Sequence, residues 1–398
     1  MLPALRQPMR RCASLLAALA VVLLAGCGGV DSGGTGIGQS GQPTYAAGPI
    51  TGFGSIIVNG VHYDESTAKV YDDEGLLRSR DDLKLGMLTE VFASALVSDA
   101  AGSRATASVV LYGSQLIGRI ESVDLNGSRF VMLGQNVRVT TSTVFDVAAG
   151  GLLALAAGDQ VEVFAQFDVS AQTYVATRVE RRSNLALYKL RGVVGALSVV
   201  DKTVTVGGQL ISYAGLGLND PTATLAVGST VRVMLRTSRV GNAWVATSLV
   251  SGIGRVADRE TAEIDGRIGA FTSIAAFEVN GIAVDASAAT FPNGTAGIML
   301  GARVEVEGSI RNGVLLAQKV KLEGDDEAGG FELNGTISAP DAGNRTFVVR
   351  DVTVTYSGAT RFESSTAADI LAGREVEVKG VLSSTGTRLA ATSIHVER

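Results

Sequence analysis

Apolar residues at every second place mark five short stretches of the chain. They read Thr89-Glu90-Val91, Val161-Glu162-Val163, Val231-Arg232-Val233, Val304-Glu305-Val306 and Val376-Glu377-Val378. A period of two puts one face on a core and the other in water, which predicts strands. Each stretch follows a Leu or Ile, two residues and a glycine, beginning at Leu83, Leu155, Leu225, Ile298 and Ile370. The anchor glycines are Gly86, Gly158, Gly228, Gly301 and Gly373, roughly 72 residues apart, so one unit is present in five copies.

Upstream of each anchor the unit opens at a glycine: Gly52, Gly118, Gly192, Gly266 and Gly335. A hairpin follows, with turns expected at Asn59-Gly60, Gly134-Gln135, Gly207-Gly208, Asn280-Gly281 and Arg350-Asp351. Asn-Gly between apolar strands is a strong hairpin signal because both central residues take positive φ. One helical turn is expected next, started at Asp220-Pro221 or Ser365-Thr366 and terminated by the anchor glycine. Two strands complete the unit, the last with a small residue near its start, as at Ala176, Ala246, Ala317 and Ala391. The order fits an all-β chain of five tandem OB-like five-stranded barrels, each with one short helix. A small open sheet or sandwich is the alternative.

The expected units are 48–113, 115–182, 188–252, 262–324 and 331–398, with linkers at 181–188, 252–262 and 324–330. Asp325-Asp326-Glu327 between glycines predicts an exposed, mobile third linker. Units this small bury a limited fraction of their surface, so packing between neighbours is expected.

The amino terminus has a different pattern. Arg6, Arg10 and Arg11 precede an apolar run from Ala13 to Ala25 that is too short to span a bilayer as a helix. A basic segment before a short apolar core reads as a secretory signal. The run ends in Leu24-Ala25-Gly26-Cys27, which resembles the bacterial lipoprotein signal. That resemblance implies cleavage after Gly26 and acylation of Cys27, with residues 1–26 as signal peptide. Gly28, in place of an aspartate, implies the outer membrane. Residues 27–47, rich in Gly, Ser, Thr and Gln, are expected to be a flexible tether.

Composition narrows the chemistry. The chain has 398 residues, 2 His, 2 Cys and a formal charge of −5, so most metal and thiol chemistry is disfavoured. No catalytic set is visible. His62 and His395 stand in the first and last units, and no nucleophile elbow or phosphate loop is present. The clusters Asp72-Asp73-Glu74, Asp81-Asp82 and Asp325-Asp326-Glu327 lack the ligand alternation of a calcium loop and read as solvated. Glu162, Glu305 and Glu377 repeat for structural reasons. No metal and no cofactor are expected. Negative charge and 5% aromatic residues argue against nucleic acid. Trp244 and Tyr174, near equivalent closing strands, are candidate ligand platforms, although filling small cores is the simpler role.

The first unit contains Ile50-Thr51-Gly52-Phe53-Gly54-Ser55-Ile56-Ile57-Val58-Asn59-Gly60-Val61. This resembles the opening of an uncharacterised domain, a domain of unknown function, found in tandem in bacterial lipoproteins. The resemblance covers residues 48 to 397 and is strongest in the first copy. It implies a fold and a location but transfers no catalytic residue. The expectation is a non-enzymatic lipoprotein of the outer membrane, periplasmic or surface-facing. Its repeats would form a spacer or scaffold for a partner protein or envelope component. A binding array for envelope oligosaccharide is the alternative.

Overall fold

The computed structural model describes residues 43–398, except 101, 147, 220, 253–255, 326–329 and 398. Leu24, Ala25, Gly26 and Cys27, with the whole signal peptide, lie outside the described residues. No helix among the described residues is long and apolar enough to cross a membrane.

Five small closed barrels account for nearly all of the described chain. In repeat 2 the strands are Leu116–Asp124, Arg129–Met132, Gln135–Arg138, Gln160–Asp168 and Thr173–Arg182. The first pairs with the second, the second with the third, the third with the fifth in parallel, the fifth with the fourth, and the fourth with the first. The ring therefore closes in the order first-second-third-fifth-fourth. Repeats 1, 3 and 4 close in the same order, opening with Thr44–Phe53, Leu187–Ser198 and Arg259–Ser273. In repeat 5 the opening strand is split into Phe331–Thr336 and Ser338–Asp341.

The repeated glycine anchor has a repeated cause. All five anchor glycines have positive φ, from +78° at Gly86 to +98° at Gly158. Each N–H donates to a carbonyl of its own opening strand: Ile50, Ile120, Val194, Ile268 and Ile337, at 2.8–2.9 Å. The residue after each glycine returns the bond, accepting from the same five residues through its carbonyl. The anchor thus stitches the fourth strand to the first where the barrel closes. Leu83, Leu155, Leu225, Ile298 and Ile370 are all buried beneath this stitch.

Several local expectations are corrected. The anchor glycine does not end the helical turn. The 3-10 turns Arg80–Asp82, Leu152–Ala154 and Ala367–Asp369 are capped by Leu83, Leu155 and Ile370, three residues earlier. The cap of the last turn is Thr366 rather than Ser365, one residue later than expected, in a capping box with Asp369. Repeat 4 has no helix in this segment among the described residues; turns alone join its third and fourth strands. The second hairpin turn is Leu133-Gly134 rather than Gly134-Gln135, since Met132 pairs directly with Gln135. The other four hairpin turns sit where expected, with both central residues at positive φ.

The larger correction concerns independence. The tether does not extend to Ala47: Thr44–Ala47 is strand and buried. This segment runs parallel to Thr261–Ile264 at the start of repeat 4, while Gly52–Phe53 runs parallel to Glu332–Leu333 of repeat 5. Repeats 1, 4 and 5 therefore share one continuous sheet system, and repeats 2 and 3 share another through Leu116–Ile117 and Lys189–Leu190. The cores merge likewise. Repeats 1 and 5 form one cluster, repeats 2 and 3 a second, and repeat 4 a third that takes in Tyr45 and Ala47.

Acidic loops expected to be solvated instead bridge repeats. Asp325, in the third linker, pairs with Arg138 of repeat 2 and Arg267 of repeat 4. Asp326 and Glu327 lie outside the described residues. Asp73 accepts from the buried Lys189 of repeat 3 at 3.0 Å. The linker at 181–188 shrinks to Ser183–Ala186, because the flanking residues belong to strands.

Candidate functional site

Side chains on the outer faces of these barrels become interior where barrels abut. A cavity of about 320 Å³ lies between repeats 1, 2 and 5. Repeat 1 contributes Phe53 and the anchor residues Lys84 and Leu85, repeat 2 its closing strand, and repeat 5 the turn Arg350-Asp351 and Arg388. The backbone also joins the repeats here, with Phe145 N–H donating to the Gly386 carbonyl at 2.8 Å.

Charge along this cavity is unevenly matched. Arg178 donates Nε to Glu180 at 2.5 Å and Nη1 to the Leu85 carbonyl at 2.9 Å. Arg178 and Glu180 are both buried. The pair lies within repeat 2, and the bond from Arg178 to the Leu85 carbonyl ties it to the repeat 1 anchor. Arg182 pairs with Glu162 and Glu180, and Lys84 with Asp351 at 3.1 Å. Asp146 is occupied by the Ala149 and Arg181 N–H groups.

Two guanidiniums remain. Arg350 lies 5.4 Å from the Phe53 ring centroid and donates only Nε, to the Asn334 carbonyl at 3.2 Å. The Arg388 guanidinium makes no hydrogen bond or ion pair among the described residues. A concave site with an aromatic wall and two under-used guanidiniums is suited to a ligand carrying a carboxylate, sulfate or phosphate.

The residues singled out from sequence fall elsewhere. Trp244 and Tyr174 are not platforms. Tyr174 is sealed in the seam between repeats 2 and 3 and donates to the Arg191 carbonyl. Trp244 is buried, with Tyr188 against its edge at 5.9 Å and Arg239 over its face at 4.7 Å. Burial also raises the Tyr174 phenol well above its ordinary range. His62 meets Ser55 at 3.3 Å and His395 meets the Glu363 carbonyl at 2.7 Å, so each has a local partner. The five anchor glycines are structural, as expected. Sequence reading missed Arg178, Glu180 and Arg388 and took Arg350 only for a turn residue. All four occupy strand or turn positions whose polar side normally faces water.

Repeated closed barrels with one shared ring order define a tandem β-barrel protein. Residues 117–180, 265–321 and 334–395 match the family described as Domain of unknown function (DUF5666). Three of the five repeats thus match one domain of unknown function in tandem, in keeping with the repeated domain that the sequence resemblance implied. The matched segments fall on repeats 2, 4 and 5, not on repeat 1 where the resemblance was expected to be strongest. Repeat 1 adds Leu77–Arg78 and Val97–Asp99 between its barrel strands, whereas its Lys69–Asp72 runs parallel to the closing strand as Val144–Phe145 and Arg361–Phe362 do in repeats 2 and 5. No curated protein matches the chain.

Proposed function

We propose that this is a non-enzymatic, lipid-anchored protein of the outer membrane, acylated at Cys27, whose joined barrels hold an envelope component. The carrying observation is the three-repeat cavity with the under-used guanidiniums of Arg350 and Arg388. No described cluster assembles a nucleophile with a base and its orienting group, which favours binding over chemistry. An acidic envelope oligosaccharide is the second reading, favoured by the Phe53 ring beneath Arg350.

Two measurements test the reading separately. Palmitate labelling of intact cells should mark the wild type and leave Cys27→Ser unlabelled; label retained on the variant ends the anchor. A photo-crosslinking residue at Val352, on the cavity wall, should capture an envelope component that the same residue at Ala283 of repeat 4 does not. The same adduct pattern at both positions, or none at Val352, ends the binding role.

A further inference from the structure

The face of repeat 4 turned toward repeat 1 carries three close carboxyl groups. Glu263 is on the opening strand, and Glu307 is its cross-strand partner on the fourth strand, Arg303–Arg311. Glu305 stands two residues before Glu307, on the same face. One carboxylate oxygen from each lies within 4.8 Å of the others. Lys319 pairs with Glu307, and Lys321 lies 3.9 Å from Glu305 and 2.6 Å from Glu323. Asp265 is held by Arg303 at 2.5 Å. Glu263 has no ion pair among the described residues. Its carboxyl is held protonated well above the carboxylate range by burial, by Glu305 and Glu307 nearby, and by a hydrogen bond with Glu305.

Two buried hydroxyls without partners lie on the same side, Tyr63 Oη and Thr44 Oγ1. Their direction follows from the strand register. Ala46 stands opposite Glu263 in the parallel pairing of Thr44–Ala47 with Thr261–Ile264, so both side chains leave the sheet on one face. Ala46 belongs to the same core as Tyr63, whereas Tyr45 and Ala47 point into the core of repeat 4. Thr44, two residues before Ala46, faces with it. Tyr63 is fully buried, and its phenol is raised by burial and then by the charge of Glu263. The orphaned hydroxyls and the Glu263 carboxyl therefore converge on one end of the repeat 1 barrel.

We propose that Glu263, Glu305 and Glu307, backed by the Tyr63 and Thr44 hydroxyls, bind one calcium-class divalent cation at the seam of repeats 1 and 4. The donors are all hard oxygens. Calcium ligands sit at about 2.3–2.6 Å, so oxygens on opposite sides of the ion lie about 5 Å apart, whereas a magnesium shell at about 2.0–2.1 Å is smaller. Oxygens within 4.8 Å of one another can share one such ion. This goes beyond the absence of a metal site expected from sequence.

Calorimetric titration of calcium chloride into the chelator-stripped full chain at neutral pH tests the proposal. One ion should bind per chain and raise the melting temperature. Glu263→Gln should abolish binding, and Glu307→Gln serves as a second ligand variant should the first melt abnormally. Tyr63→Phe should weaken binding about tenfold or more without lowering the metal-free melting temperature, because it also removes an unsatisfied hydroxyl. Glu377→Gln, at the equivalent strand position of repeat 5, should bind as the wild type does. No heat and no melting shift at millimolar calcium, or unchanged binding in folded Glu263→Gln and Glu307→Gln, would overturn the site.

Discussion

The seam between repeats 2 and 3 and the seam between repeats 1 and 4 join the same kind of barrel by different means. In the first, the opening strands meet antiparallel over Leu116–Ile117 and Lys189–Leu190, and the two cores fuse. An aromatic side chain bridges the gap: Tyr174 of repeat 2 donates across it to the Arg191 carbonyl of repeat 3. In the second, Thr44–Ala47 runs parallel to Thr261–Ile264, and the cores stay distinct apart from Tyr45 and Ala47. Polar groups gather there, with Asn59 Nδ2 shared between the Ala47 and Glu263 carbonyls at 3.2 Å each. One seam is apolar and made by neighbours in the chain. The other is polar and made by a short extension ahead of the first barrel. Fusion of the barrels is thus a property of their edges, not of the conserved ring order.

The largest effects should come from emptying each seam. Tyr174→Ala and Tyr45→Ala should each destabilise by about 3–5 kcal/mol in denaturant unfolding. Hydrogen exchange should rise first near Tyr188 in one and near Thr261–Ile264 in the other. Their effects should add within about 0.5 kcal/mol, since no residue contacts both. Strong coupling would mean that the two seams are one unit.

The anchors allow a finer comparison. Gly86 and Gly158 have the same role and the same sign of φ. A Cβ on Gly86 would stand 2.5 Å from the Thr177 carbonyl and 2.9 Å from Val144, whereas one on Gly158 meets nothing within 4 Å. Gly158→Ala should therefore carry only the left-handed backbone penalty, about 1–2 kcal/mol. Gly86→Ala should exceed it by about 1–3 kcal/mol, because repeat 2 must move. Equal melting shifts would show that repeat 2 does not press on the repeat 1 anchor.

The polar seam should also have a pH signature that the apolar one lacks. The Glu263 carboxyl is raised from 4.5 to about 9 in the folded chain, with burial the largest cause. Between those values the folded chain holds a proton that the unfolded chain has released, so stability falls as pH rises through this window. Glu263→Gln should flatten that part of the stability profile in metal-free buffer. An unchanged slope would remove Glu263 as its source.

The smallest contrast lies within one turn. Leu155→Ala should cost about 2–5 kcal/mol as a buried anchor residue. Leu153→Ala, at a position 76% exposed, should stay within about 0.5 kcal/mol.

What could be read in advance follows from these seams. Alternating valines, Asn-Gly turns and the spaced glycines report on contacts within a barrel, where residues lie close in sequence and the pattern repeats. They locate the ring, its hairpins and its closure. Contacts between barrels involve residues that differ from copy to copy. Thr44-Tyr45-Ala46-Ala47 looks like the end of a polar tether until its partner strand is known. Asp73 and Asp325 look like solvent-facing acids until Lys189, Arg138 and Arg267 are placed beside them. The cavity was illegible for the same reason. Arg178, Arg350 and Arg388 come from two repeats and are brought together only by docking. Trp244 and Tyr174 misled in the opposite sense, because a large ring on a strand serves its own barrel, as Trp244 does, or a neighbouring one, as Tyr174 does, as well as a ligand.

The parallel strand that opens repeat 1 has a consequence in time. In a linear repeat array each unit leans only on its neighbours, so assembly can spread from any point. Here Asn59 reaches Glu263 across 204 residues. During synthesis the first barrel to emerge cannot finish its edge until the fourth and fifth exist. Its strand must wait exposed, open to mispairing with any other edge. Slow maturation, and dependence on escorts that shield unpaired strands, would follow from this one early segment.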